Sequence, residues 1–421
     1  MSKTVLPDHL TDLLSPAAVN DPYLYFGKYR DISPVVWNPQ WKGWIFTGNE
    51  AVREGLAGDT MTNDRIERFE EQLTSRAGGD QNADGDQNAD IIYRTMSQWI
   101  IYATPPRHTH LRRLLSKPFS PRAVKDQKAV VETVIAQLLD ELEQKVKGHP
   151  GPVDLLREYA AQVPARVIGR LMGVPDEDGP KLGHWSEELT LLILGALGAD
   201  DRHARAKQAF IELEHYVREM VAERRRNPGT DLVSEWTAAR DSDVGLTEEE
   251  LISSCILVIF GGHETTMNLI ANALLTVDQH PAARQGLIDG TADPAMAVEE
   301  FLRFCGPTRT VLRDVAKDHE VAGQQLRTGE RALFVLSAAN HDPLAFAEPG
   351  TLKLDRSPNR HISFGTGIHQ CLGAPLARLE AQVAIPEFVR RFPNYRIATG
   401  DAEWRPLLMT RGLEALPAEL L

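Results

Sequence analysis

A mainly α fold with small β-sheets is what this sequence predicts, on three observations. Apolar residues recur at three- and four-residue spacing through 122–147, 154–172, 203–226, 247–279 and 374–391, the signature of helices with a buried face. Strand signals are short and few: "WIFT" at Trp44–Thr47, "EVAG" at Glu320–Gly323 and "ALFVL" at Ala332–Leu336. No linker-like composition divides the 421 residues, so 1–421 are expected to form a single domain.

Taken in order, the elements carry their own signals. "MSKTVLPDHLTDLL" lacks the apolar core of a signal peptide, and no apolar run reaches the ~20 residues that span a bilayer. Residues 80–84 and 86–90 repeat the pentapeptide "DQNAD" around Gly85; nothing there can build a core, and 78–90 are read as a flexible loop. Its carboxylates fit a calcium loop poorly, because the EF-hand glycine and terminal Glu are missing. The helix over 203–226 ends in Arg224–Arg225–Arg226, cations that suit the negative end of its dipole, before Asn227–Pro228–Gly229. Thr247 and Glu250 form a Thr-x-x-Glu capping box for the next helix, which Pro281 stops after His280. At ~1.5 Å per residue it is about 50 Å long, enough to cross the molecule. Pro375 fits the first turn of the helix over 374–391.

Composition bounds the function. Hydrophobic residues make up 42% and charged residues 25%, as in a globular protein. Against 59 acidic residues stand 46 basic ones, a formal charge of −13 that argues against nucleic acid or an anionic membrane as the main partner. The three cysteines, Cys255, Cys305 and Cys371, are too scattered for a disulfide framework, and a reducing cytoplasmic home is expected.

Two stretches carry chemistry. In "HISFGTGIHQCLGAPLARLE", Phe364, Gly365, Gly367, His369, Cys371 and Gly373 fall within ten positions ahead of a helix. Cys371 at a helix mouth favours a thiolate, and the glycines let the backbone approach a flat, bulky partner. A buried small hydrophobe suffices for Cys255 and Cys305, but does not explain three glycines, a Phe and a His around Cys371. The second stretch is "LVIFGGHETTMNLI", Leu257–Ile270, where two glycines and a polar run interrupt a buried helix. Each interior glycine costs about 0.5–1 kcal/mol relative to alanine, and buried polar groups need partners.

The cysteine stretch resembles the heme-binding loop of the cytochrome P450 family, Phe-Gly-x-Gly-x-His-x-Cys-x-Gly, at all six specified positions. The resemblance implies a P450-like fold with heme b (iron protoporphyrin IX) between the long distal helix and the proximal cysteine loop and helix. Cys371 is then the axial thiolate and metal ligand, whose electron donation favours O–O cleavage. Phe364, Gly365, His369, Cys371 and Gly373 form the cofactor loop. "PPRHTHLRR" resembles the family's Pro-Pro-x-His-Thr-x-x-Arg segment, with Thr104 where an aspartate is usual and His110 at a variable place; it offers His108 and Arg112 to the heme propionates. Arg313 matches a further propionate arginine. Glu300 and Arg303 in "EEFLR" look like the Glu-x-x-Arg pair, with Arg356 as third member of that scaffolding network.

"GGHETT" is similar to the distal-helix signature, with Gly261 where alanine is usual. The resemblance implies that the glycines open the helix ladder over the heme, while catalytic Glu264 and Thr265 relay protons to dioxygen. The bland alternatives are Thr265 bonding back to its own helix and Glu264 on a solvated face; His263 is given no role. The implied activity is a monooxygenase, taking two electrons from a separate ferredoxin and ferredoxin reductase to oxidise a medium-sized lipophilic molecule. Arg112, Arg113 and Lys117 are candidates for the docking patch. Coupling, nitrating or peroxide-driven chemistry stays open, as do a non-catalytic heme sensor or carrier and a helical binding protein without heme. Expected pocket walls are residues 80–100, the helices near 182–215 and Pro307–Leu312, where Arg309 either anchors a substrate carboxylate or pairs with a neighbouring acid.

Overall fold

The computed structural model describes residues 3–66, 89–148, 151–194, 201–240, 245–398 and 402–420. Helices dominate it, and they pack around one of them, the central helix Glu248–Gln279. Its capping box forms as the sequence predicts: the Thr247 hydroxyl accepts from Glu250 N, and the Glu250 carboxylate accepts from Thr247 N. Buried residues occur on every side of this helix, because neighbours enclose it: Gln162–Met172, Gly179–Ile193, Arg202–Arg226, Pro294–Cys305 and Ala374–Arg391.

Five strands make the largest sheet: β1 (Val35–Asn38), β2 (Gly43–Phe46), β3 (Met61–Thr62), β4 (Thr310–Val315) and β5 (Arg331–Val335), in the order β1-β2-β5-β4-β3. Only the β2–β5 pairing is parallel. Both faces of β2 and β5 are covered, which is why their sequences are apolar without alternation. Trp44, Phe46, Ala332 and Phe334 join one core cluster; Ile45, Leu333 and Val335 point the other way into a second. Phe46 stacks on Phe334 at 4.4 Å, and helix Asn49–Ala57 lies so close that a Cβ on Gly55 would sit 2.5 Å from the Phe334 ring.

Three expectations change. The helix over 122–147 is two helices, Pro121–Asp126 and Lys128–Gly148, with Gln127 between them. The segment before Gln162 opens with a π-helical turn, Leu156–Ala160. "EVAG" is not one strand: His319–Val321 pairs with Gln324–Leu326 around a turn whose Ala322 and Gly323 both take positive φ, 48° and 72°. Two left-handed residues match the twist of a two-residue hairpin, and the alanine hides the turn from a sequence reading. The "DQNAD" repeat lies outside the described residues except for Ala89 and Asp90, which begin helix Ala89–Ser97.

Candidate active site

Local backbone rules build the cysteine loop. Gly365 N donates to Ile362 O (2.8 Å), Gln370 N to Gly367 O (3.1 Å) and Cys371 N to Phe364 O (2.9 Å). These turns hold Gly365 at φ 68° and Gly367 at φ 74°, conformations that cost a side-chain-bearing residue roughly 1 kcal/mol or more. A Cβ on Gly367 would also lie 2.5 Å from Leu56 O, whereas one on Gly365 or Gly373 would enter open space. Gly373 then caps the proximal helix Ala374–Arg391, with Pro375 in its first turn.

Cys371 is accessible, yet burial is the largest influence on its thiol and raises its pKa. Both hold for a residue on the floor of a recess. The N–H groups of Gly373 and Ala374, with Arg112 and Arg378, pull the other way, as a helix mouth should. Burial outweighs them in the isolated chain, so the helix mouth alone does not make the thiolate the sequence suggested.

Four basic groups meet beside this loop. His108 and Arg112 sit on helix Arg107–Leu115, Arg313 on β4 opposite Ala332, and His369 in the loop itself. The His108 and His369 rings are 4.5 Å apart, and Arg112 Nη1 donates to Gln370 O at 2.7 Å. Burial, then the charges of Arg313, His108 and Arg112, push the His369 pKa down to about 3. Burial, with Arg65 adding to it, lowers Arg313 to about 10, and burial with Arg112 lowers His108. Among the described residues no carboxylate pairs with any of the four. His108 is only 3% exposed, and its Nε2 is buried without a partner. Two half-buried arginines beside two imidazoles, one of them buried with an unpartnered nitrogen, fit a dianionic partner.

The Glu-x-x-Arg network forms in full. Arg303 Nη2 and Nε donate to the two Glu300 carboxylate oxygens at 2.7 and 2.8 Å, and Arg356 Nε approaches both at 3.1 and 3.0 Å. Arg303 also donates to Asn340 O, Pro349 O and Thr351 O, binding helix Pro294–Cys305 to the segment that leads into the cysteine loop.

On the central helix the glycines divide their work. A methyl on Gly261 would meet nothing within 4 Å, but one on Gly262 would lie 3.1 Å from Ile168. Gly262 thus admits helix Gln162–Met172, and only Gly261 faces open space. The helix itself runs unbroken from Glu248 to Gln279. Thr265 Oγ1 donates back to Gly261 O at 3.3 Å. Glu264, 3% exposed, is not on a solvated face: its Oε1 accepts from Asn268 Nδ2 (3.0 Å) and Arg405 Nη1 (3.2 Å). Burial raises its pKa, against the pull of Arg405 and Asn268. Glu264 and Thr265 therefore bond in opposite directions along the helix. His263 Nε2 contacts Ala161 O at 3.2 Å next to the π-helical turn, and burial lowers its pKa to about 4, which suits a neutral packing residue.

Arg309 takes neither part considered for it. It is buried and donates to Leu407 O and Leu13 O, so it neither faces a substrate nor pairs with an acid. Sequence reasoning missed Asn268 and Arg405 as partners of Glu264. It also missed Glu299, whose carboxylate receives Arg378 and His361.

Comparison with known proteins agrees with this geometry. The cytochrome P450 family profile matches residues 72–289 and 295–402. The biotin biosynthesis cytochrome P450 of Bacillus subtilis is 32% identical over 404 residues, 95% of this chain and 96% of that protein. The vitamin D(3) 25-hydroxylase of Pseudonocardia autotrophica is 33% identical over 428 residues, 100% of this chain and 99% of that one. The crystal structure of P450BioI in complex with hexadec-9Z-enoic acid ligated acyl carrier protein has a TM-score of 0.84 at 30% identity, covering 98% and 100% of the two chains. CYP109E1 from Bacillus megaterium in complex with testosterone has a TM-score of 0.82 at 27% identity, covering 96% and 99%. Among the described residues no helix is long and apolar enough to cross a membrane. The chain belongs to the cytochrome P450 family and is an oxidoreductase of its monooxygenase class.

Proposed function

We propose that this protein is a single-domain, cytoplasmic heme-thiolate monooxygenase that hydroxylates or otherwise oxidises a medium-sized lipophilic molecule in secondary metabolism or catabolism. One substrate, O₂, two electrons and two protons give the oxygenated product and water. The observation that carries the reading is the accessible Cys371 beside the acid-free group His108, Arg112, Arg313 and His369. These residues fit heme b: Cys371 as sulfur ligand, and the four basic groups as partners for its two propionates. Bound there, heme supplies dioxygen binding and reductive O–O cleavage.

The remaining work falls to the chain. Gly261 keeps a side chain out of the open space beside the central helix, where heme would lie on this reading. Thr265 donates a hydrogen bond toward that space once it releases Gly261 O, and Glu264 recharges it with protons after turning from Arg405. Positioned proton transfer of this kind is worth typically ~10²–10⁴-fold in rate. The apolar segments expected to wall the pocket support an apolar substrate. So do the lipid and steroid ligands of the two similar crystal structures. Electrons come from redox partners, a ferredoxin and its reductase on this reading.

Reduced, CO-treated protein should give the red-shifted Soret band of thiolate-ligated heme, and Cys371→Ser should abolish it. A parent protein without that band refutes the ligand assignment. Thr265→Ala should divert most electrons to peroxide; unchanged product per electron would remove the proton relay.

A further inference from the structure

Glu299 and Glu300 are adjacent on helix Pro294–Cys305, and each gathers an arginine. Glu300 has the buried pair Arg303 and Arg356, already described. Glu299 faces the proximal helix: Arg378 Nε donates to its Oε1 at 2.6 Å, and Arg378 Nη2 to its Oε2 at 2.9 Å. His361 Nε2 lies 2.9 Å from the same Oε2, while His361 Nδ1 accepts from Ser363 N at 3.2 Å. These bonds assign the Nε2–H tautomer, with His361 donating to the carboxylate. Burial opposes ionisation of Glu299, but His361 and Arg378 overcome it and hold the acid at about 2, so the carboxylate is ionised throughout the working pH range.

The arginine does a second thing. Its guanidinium lies 4.5 Å from the centre of the Phe364 ring, and Phe364 O accepts the Cys371 amide. Arg378 is also among the charges that act on the Cys371 sulfur. The acid thus holds the arginine that lies against the cysteine loop. A guanidinium stacks favourably on an aromatic face, and a bidentate carboxylate fixes the guanidinium plane.

We infer that Glu299, Arg378 and His361 are positioning residues that clamp the Phe364 ring and set the charge balance at Cys371. The inference rests on the reading of Cys371 as heme ligand. Arg378 without Glu299 leaves an uncompensated cation near the sulfur; Glu299 without Arg378 leaves an anion.

The test is the reduction potential of the heme-loaded protein, with the CO-bound reduced spectrum recorded alongside. Glu299→Gln should shift the potential upward, because the freed cation favours the added electron. Arg378→Gln should shift it downward, and the double variant should return toward the parent. Arg378→Lys keeps the charge and should stay nearest the parent, while converting part of the CO complex from thiolate to thiol ligation as Phe364 loosens. Loss of packing alone cannot move two single variants in opposite directions. Shifts of the same sign, or unchanged potentials with intact thiolate bands, would overturn the inference. Should a Gln variant fold poorly, His361→Gln, which retains both charges, must leave the potential in place and broaden the CO band. A parent that binds no heme sinks the ligand reading itself, a distinguishable result.

Discussion

On the proposed reading the proximal loop carries the metal ligand and the central helix the proton relay, and the two are held in opposite ways. Around Cys371 every turn of backbone is pinned: Asn340 bonds Ser363 and Ile362, Ser363 bonds Leu302 O, and two neighbouring glutamates hold three arginines behind it. On the helix, Glu264 and Thr265 each have a local partner, and neither bonds the other. A ligand atom must stay at one distance from its metal, so its support is redundant. A proton relay must exchange partners, so its resting bonds are few and the Thr265 bond is long. Stiffness and freedom are distributed by task.

The largest effect should come from breaking the stiff side. Glu300→Ala leaves Arg303 and Arg356 charged and uncompensated in the interior, a loss of roughly 3–5 kcal/mol. The melting temperature should fall by many degrees and heme retention with it. If denaturant unfolding shows less than about 1 kcal/mol of loss, the network is not what stiffens the loop.

A smaller, pH-dependent effect probes the mobile side. Burial raises the Glu264 carboxyl above its ordinary 4.5, so from that pH upward the folded chain holds a proton the unfolded chain has lost. Stability contributed by that proton is present at low pH and declines as pH rises through the folded value. Arg405 lowers that value, so Arg405→Met should extend the decline to higher pH. Parent and variant should melt alike near pH 4 and differ by roughly 1.5–3 kcal/mol at pH 8, the worth of one hydrogen bond to a charged group. A difference independent of pH would mean that Arg405 packs the C-terminal segment without governing the acid.

What the sequence revealed follows the same division. The cysteine loop is contiguous, and its positive-φ glycines leave a local trace, so its residues could be named from ten positions. Helix ends were equally readable at Thr247–Glu250 and His280–Pro281, where capping is a local matter. The Glu299 clamp was not, since its partners lie 62 and 79 residues away, and Arg405 reaches Glu264 across 141. Each looks like an ordinary surface charge until the fold brings it in. Arg309 misled for the same reason, its carbonyl partners being 98 and 296 residues distant. The two glycines of the central helix read as one device, because only tertiary packing separates the side that meets Ile168 from the side that meets open space.

That separation yields the finest test. Alanine in place of an interior helical glycine gains about 0.5–1 kcal/mol from the backbone alone. Gly261→Ala should realise most of this gain, because its methyl meets nothing, and should also move the heme absorption bands by intruding on the recess. Gly262→Ala gains the same backbone term but puts its methyl 3.1–3.2 Å from two Ile168 carbons, closer than ordinary contact. The two effects should nearly cancel, leaving stability within about 0.5 kcal/mol of the parent and the bands unmoved. Ile168→Val removes one of those carbons, so adding it to Gly262→Ala should cost less than it does in the parent, a coupling that a double-mutant cycle reads directly. Equal stabilisation by both alanines, with no coupling to Ile168, would show that helix Gln162–Met172 yields and that the central helix is as free on that side as over the recess.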